Sequence, residues 1–304
     1  MKRFVLPLLC ILVSVQIWPF PGLTNEPGSH YDITQTALER CYGPSFGEVV
    51  KVRTVPLFGI ERYEYVDPTL ADIVCYASGG PDLYFFGHLP PHSQTEDYDY
   101  SVERTSAELE SIEREALDAY FLYCSRILNF LNYKLLTEDY REAAYLFGFF
   151  LHTYHDLFSH RGITNSQHIY LNDRGTNPDY NEAYLAEARK ETERFISIFP
   201  DHLPDPAARS AMLHILASSE TVETLSPGEI RNLLRRSKDI YSEGIKYQFL
   251  TSGDKEAVRY MDSIMWDSAA LLKIFTTAEG ISLLLNYSLS PDPDRLLSFC
   301  GYVF

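Results

Sequence analysis

Apolar residues recur every three to four positions along most of this chain, a period that predicts helices. The longest run covers 102–134, where Leu109, Ile112, Ala116, Leu117, Tyr120, Phe121, Cys124, Ile127, Leu128 and Leu131 follow helical spacing. The period resumes after Thr137, Glu138 and Asp139, which suit a helix start and its dipole, and continues to about His160. A Ser cap opens a short helix at 29–40, and further helices are expected at 179–198, 206–218, 227–249 and 254–285. Residues 42–101 hold most of the early Gly and Pro and read as loop with short helical pieces. No strand-like alternation is convincing, no repeat is visible and no linker divides the chain. The pattern predicts an all-α fold, a single multi-helix domain over 25–304.

The first residues break this pattern. "MKRFVLPLLCILVSVQIW" sets two basic residues before an apolar run of signal-peptide length, too short for a comfortable membrane span. The turn-rich "PFPGLTNEPGS" follows, so 1–24 reads as a leader cut between Trp18 and Asn25, best before Asn25 with Gly22 and Thr24 at the key positions. The expected location is secreted, periplasmic or cell-surface; an uncleaved anchor is the alternative. Cys10 lacks a lipobox-like neighbour, which leaves Cys41, Cys75, Cys124 and Cys300, with no C-x-x-C among them. In an exported protein four cysteines suggest one or two disulfides, in any of three pairings. Asn286-Tyr287-Ser288 is a glycosylation sequon.

With 304 residues, 45% of them hydrophobic, the chain is too apolar for disorder. A net charge of -16 argues against a protein that follows phosphate backbones. It leaves open an enzyme whose bound cations supply local positive charge.

The helix that ends near His160 carries unusual polar residues. His152, Asp156 and His160 sit at i, i+4 and i+8 in a phenylalanine-rich segment. At 3.6 residues per turn they drift by only about 80° and form one stripe. The rise places His152 and His160 about 12 Å apart along the axis. Zinc–ligand bonds are about 2 Å, so the two histidines need different ions, and Asp156 between them can bridge. The spacing therefore predicts a metal cluster held by a central helix. Gly148, one turn before His152, is read as leaving space on that stripe. Ala143, Phe147, Phe150, Tyr154 and Leu157 supply the core contact, and His155 falls outside the stripe. The alternative is a set of core histidines bonded to backbone or tyrosine. Three ionisable groups in register on an apolar helix favour the cluster, because buried without partners they cost free energy.

"LFGFFLHTYHDLFSHRGITN" resembles the zinc-binding helix of the superfamily that joins zinc-dependent phospholipases C with fungal and plant single-strand nucleases. The spacing to His160 is nearer the heterokaryon-incompatibility-like branch. "SHYDITQTAL" is similar to the family's His-x-x-Ile-Thr segment and points to His30; "ASGGPDLYFFGH" is similar to its Pro-Asp segment and points to Asp82. "HSQTEDYDYSVERTSAELESIE" fits the next family histidine from His92 better than from His88, and "HRGITNSQHIYLN" offers His168. The family usually has a carboxylate four residues after that histidine; here Asn172 stands there, with Asp173 beside it. The family's mature N-terminus is often a metal-binding Trp. Trp18 lies at a plausible reach from His30, yet cleavage before it would leave Ile17 at the cut. Residues 175–304 match only in being helical.

The resemblance implies two or three Zn2+ ions: Asp82, His92, His152 and Asp156 on one, His30 sharing Asp156 on a second, and His160 with His168 on a third. It implies a phosphodiester hydrolase, with Asp82 also catalytic as the group that orients water. A phospholipid or membrane surface is the favoured substrate, with Tyr84, Phe85 and Phe86 beside the ligands as a pocket rim or as core. A single-strand nuclease would use the same metals with aromatic stacking; the lack of a basic patch makes nucleic acid the weaker reading. A metal-stabilised binding or effector protein without turnover is the third, kept open by Asn172. Asp262, Trp266 and Asp267 read as capping or core residues.

Overall fold

The computed structural model describes residues 27–53, 61–84, 90–96, 98, 102–173, 176–226, 228–230, 232–233 and 265–302. The leader with Cys10 and Trp18, the aromatics Phe85 and Phe86, His88, Asp262 and most of the helix expected at 227–249 lie outside the described residues, as do the side chains of Tyr84 and Asp173. In chain order the elements are α1 (His30–Cys41), β1 (Glu48–Arg53), β2 (Glu61–Val66), α2 (Leu70–Ser78), α3 (Gly80–Tyr84), a 3-10 turn (Pro90–His92), β3 (Gln94–Thr95), α4 (Ser106–Leu136), α5 (Tyr140–Ser159), β4 (Gly162–Thr164), α6 (Asn165–Asp173), a second 3-10 turn (Pro178–Tyr180), α7 (Glu182–His202), α8 (Pro206–Ala217), α9 (Ser268–Thr276), α10 (Ala278–Tyr287) and α11 (Pro293–Cys300). The fold is all-α, as the periodicity predicts, with two minor two-stranded sheets.

The centre is α5. Asp139, not Thr137, is its cap, accepting from the Glu142 N–H. Every residue from Ala143 to Ser159 is buried, so the helix is enclosed on all sides and not amphipathic. Phe147 lies 5.3 Å, centre to centre, from Phe199, and Tyr154 4.8 Å from Phe195, both rings on α7. Phe150 and Tyr154 also meet Phe275 of α9. The long α4 packs along another side and buries Leu117, Phe121, Cys124, Leu128 and Leu131. The third neighbour, α2, begins in a capping box between Thr69 and Asp72, which satisfies N–H groups that a helix start leaves open.

The approach of α2 to α5 corrects the reading of Gly148. A Cβ there would lie 2.5 Å from the Ala77 Cβ and 2.5 Å from the Val74 carbonyl oxygen. The room Gly148 leaves is filled by α2 itself, and the close contact brings Ser78 beside His152. The end of α5 is equally constrained. Arg161 (φ 49°) and Gly162 (φ 81°) turn the chain out of the helix, and the indole of Trp266 occupies the space over Gly162, 2.4 Å from where a Cβ would sit. Only a glycine fits that conformation and that contact. β4 then pairs in parallel with β3, and the Ser93 hydroxyl donates to the Thr153 carbonyl (2.9 Å). These bonds hold the His92 segment against the end of α5.

Other expectations need correction. Residues 42–101 contain an antiparallel hairpin, β1 with β2, in register from Glu48 opposite Val66 to Arg53 opposite Glu61. The helix expected over 254–285 is, in its described part, two helices at 90° to each other. The Thr277 hydroxyl caps the Gly280 N–H (3.0 Å) and starts α10 afresh. Trp266 is core and Asp267 caps α9, as expected. The expected disulfides are not present: Cys41, Cys75, Cys124 and Cys300 are free. Cys75 and Cys124 sit in different helices as small apolar core side chains, while Cys41 donates to the Glu193 carbonyl (3.4 Å).

Candidate metal centre

Six separate pieces of chain deliver the polar residues. Ser29 caps α1 by accepting from the Asp32 N–H (3.1 Å), which sets His30 in the first turn. Asp82 comes from α3 and His92 from the end of the first 3-10 turn. His152, His155 and Asp156 project from α5, with His160 as its C-cap. His168 lies on α6 and Asp179 in the second 3-10 turn. All are buried; the most exposed, His92, is 5% accessible.

Asp156 sits at the junction. Its Oδ1 is 3.4 Å from His30 Nε2, and its Oδ2 is 3.1 Å from both His92 Nδ1 and His152 Nε2 and 3.5 Å from His160 Nδ1. Asp82 faces the same space, 3.7–3.8 Å from His30, His92 and His152. On the far side of His160, Asp179 takes His160 Nε2 on Oδ1 (3.0 Å) and His168 Nε2 on Oδ2 (2.8 Å). Among the described residues, three groups have ligand atoms close enough to share a cation: His30, Asp82 and His152; His92, His152 and Asp156; His160, His168 and Asp179.

The hydrogen bonds decide which nitrogens are free to bind. A carbonyl only accepts, so His152 Nδ1, 2.8 Å from the Ser78 oxygen, carries the proton. His152 Nε2 is then a bare lone pair directed at Asp156 and at His92 Nδ1, 3.0 Å away. His160 Nδ1 donates likewise to the His92 carbonyl (2.6 Å), turning Nε2 to Asp179. Metal-binding imidazoles are usually anchored through their second nitrogen in this way. Among the described residues, both oxygens of Asp82, Asp156 Oδ1 and His92 Nε2 are buried without a hydrogen-bond partner. Carboxylates in that condition are costly, and a cation among them removes the cost. The donor set can hold metal ions.

The charges point the same way. Burial, and then the Asp156 and Asp179 charges, raise the Asp82 carboxyl well above its ordinary value. Burial would also raise Asp156, but the surrounding imidazoles, His152 foremost, hold it well below the usual range. Burial keeps His30 neutral and pushes His92 down to about 4 and His155 to about 3. Neutral imidazole is the form that binds metal. His160 differs: burial opposes its charge, but Asp156 and Asp179 outweigh it and push the pKa up to about 9. Filling the His160–His168–Asp179 group is therefore expected to expel a proton from His160 below pH about 9, where apparent affinity gains tenfold per pH unit. Titration calorimetry at pH 7.5 in buffers of different ionisation enthalpy measures this. A His160→Asn variant should release one proton fewer, and equal release contradicts the assignment.

All seven residues singled out in the sequence as metal ligands meet here. Two more residues join them: Asp179, which the sequence did not single out, and His155, which the helical stripe had left out. Asp179 supplies the carboxylate lacking at Asn172. Asn177 donates to the Asn172 side chain (3.3 Å) and itself accepts from the Asp179 N–H (3.0 Å), so Asn172 braces the turn that carries the carboxylate. His155 lies with its Nδ1 3.0 Å from His30 Nδ1. No family model, curated protein or solved structure matches this chain.

Proposed function

We propose that the chain is an exported, zinc-dependent phosphodiester hydrolase of the phospholipase C type, acting on phospholipid head groups. The observation that carries the reading is Asp156, one buried carboxylate in contact with four imidazoles. That arrangement sets adjoining cation sites side by side, as a phosphodiester needs. Mixed imidazole and carboxylate donors suit zinc. Asp82, His92, His152 and Asp156 would hold one ion, His30 with Asp156 a second, and His160, His168 and Asp179 a third. Such ions supply Lewis acidity that activates water and offsets the charge of a phosphodiester. Asp82, whose two oxygens have no hydrogen-bond partner among the described residues, can orient that water. The leader-like residues 1–24 support export.

Asp179 completes the third donor set and so weakens the case for an inactive protein that Asn172 had raised. One observation still favours that case: no ligand candidate is more than 5% exposed. A single-strand nuclease is opposed by the net charge of -16. The test is hydrolysis of detergent-dispersed phospholipid against single-stranded DNA, with and without a chelator. Head-group release from lipid, lost on chelation and restored by Zn2+, is the expected result. Cleavage of DNA alone would make the chain a nuclease, and inactivity with metal fully bound would leave a binding protein.

A further inference from the structure

His155 belongs to the site although it points away from the Asp156 stripe. It is fully buried on the central helix, where an imidazole with nothing to do is a liability. Its neighbour is His30. The two Nδ1 atoms are 3.0 Å apart, the ring planes lie 16° from parallel, and the ring centres are 5.2 Å apart. Centres so much farther apart than the nitrogens mean that the rings meet edge to edge, nitrogen facing nitrogen. At 3.0 Å that is a hydrogen bond with one proton between two lone pairs.

The other edge of His30 says which ring donates. His30 Nε2 faces Asp156 Oδ1 at 3.4 Å and Asp82 Oδ2 at 3.8 Å. To bind a cation there Nε2 must be bare, which puts the His30 proton on Nδ1 and makes His155 Nδ1 the acceptor. The His155 proton is then on Nε2, a buried atom with no acceptor among the described residues. His152 and His160 donate their second nitrogens to the backbone carbonyls of Ser78 and His92. For His30 an imidazole takes the place of the carbonyl.

We infer that His155 is a positioning residue. It accepts the His30 Nδ1 proton, fixes the tautomer and ring plane of His30, and so sets the affinity of the ion that His30 and Asp156 share. The inference rests on the metal reading of the cluster. It assigns the ion at His30 an anchor inside the fold, independent of any ligand from the chain's N-terminus.

The test uses zinc. Zinc content and affinity are measured by competition with a chromophoric chelator on the wild-type chain, His155→Phe and His155→Asn. Phe keeps a ring and removes the acceptor; the Asn side-chain oxygen stands close to where the Nδ1 lone pair was. His155→Phe is expected to weaken one ion by about 10–100-fold, the usual cost of losing an outer partner, and to leave the His160–His168–Asp179 ion unchanged. His155→Asn is expected to restore most of the loss. Unchanged affinities in His155→Phe, or equal losses in both variants, overturn the inference and leave the metal reading standing. A wild-type chain that takes up no zinc overturns both. Ring-nitrogen NMR of zinc-loaded wild-type protein tests the same point without a mutation. His155 must show a proton on Nε2 and a bare Nδ1, and a proton on His155 Nδ1 contradicts the proposal.

Discussion

Asp156→Asn is expected to empty the shared part of the cluster and abolish turnover while leaving one ion in place. The substitution keeps the shape of a fully buried side chain and removes one negative charge from among four imidazoles. Losing an outer-shell partner costs about 10–100-fold in metal affinity, and losing a bridging ligand must cost more. Two of the three proposed ions depend on Asp156; the third, on His160, His168 and Asp179, keeps all its ligands. Metal per chain, by mass spectrometry, should therefore fall by up to two ions and stop there. A lost catalytic ion removes several kcal/mol of transition-state stabilisation, and tenfold in rate corresponds to about 1.4 kcal/mol. Lipid hydrolysis should drop by about 10³-fold or more.

The metal-free variant tests the electrostatics separately. Asp156 is held well below its ordinary pKa in the fold. A depressed carboxylate stabilises the fold above its unfolded pKa and loses that contribution as pH falls through the folded value. Metal-free Asp156→Asn should therefore be less stable than the metal-free wild type at neutral pH, with the gap closing in acid. An unchanged metal content would remove Asp156 from the ligand set and the hydrolase reading with it.

The sequence reveals some parts of this site and conceals others for physical reasons. The α5 stripe is legible because helical spacing puts His152, Asp156 and His160 in line whatever packs around them. His155 is not, because a helical wheel assumes one functional face. Here α5 is enclosed, and a residue one turn from His152 on the other flank meets His30. Asp179 is concealed because it reaches the site through a turn braced by Asn172 and Asn177, a distance in sequence that no helical spacing encodes. The hairpin carried a signal in the alternation of Arg62, Tyr63, Glu64 and Tyr65, outweighed by the Gly and Pro around it. The break at Thr277 also had one, a hydroxyl residue followed by Glu279, hidden by an apolar period that runs on through it. In each of these cases local pattern identified what could form, and tertiary contact decided what did.

The same tertiary contact makes Gly148 a sensitive position although it is not itself a ligand. Gly148→Ala is expected to destabilise the fold by about 1–3 kcal/mol, the range for forcing extra atoms into a packed core, and to lower metal affinity as well. The added Cβ would start 2.5 Å from Ala77 Cβ and from the Val74 carbonyl oxygen, and 3.0 Å from the Ala77 carbonyl carbon. Two of these three atoms belong to the α2 backbone, so relief means moving α2 away from α5. Ser78 follows Ala77 directly, and its carbonyl is the acceptor that fixes His152 (2.8 Å). A shift that stretches that bond frees the His152 ring to rotate, at the ~10–100-fold cost of a lost outer partner. Thermal unfolding and zinc competition on the same protein separate the two effects. Packing alone would lower the melting temperature of the metal-free chain and leave zinc affinity intact. Packing coupled to the site lowers both, and it makes a glycine one turn from the nearest ligand part of the metal-binding apparatus.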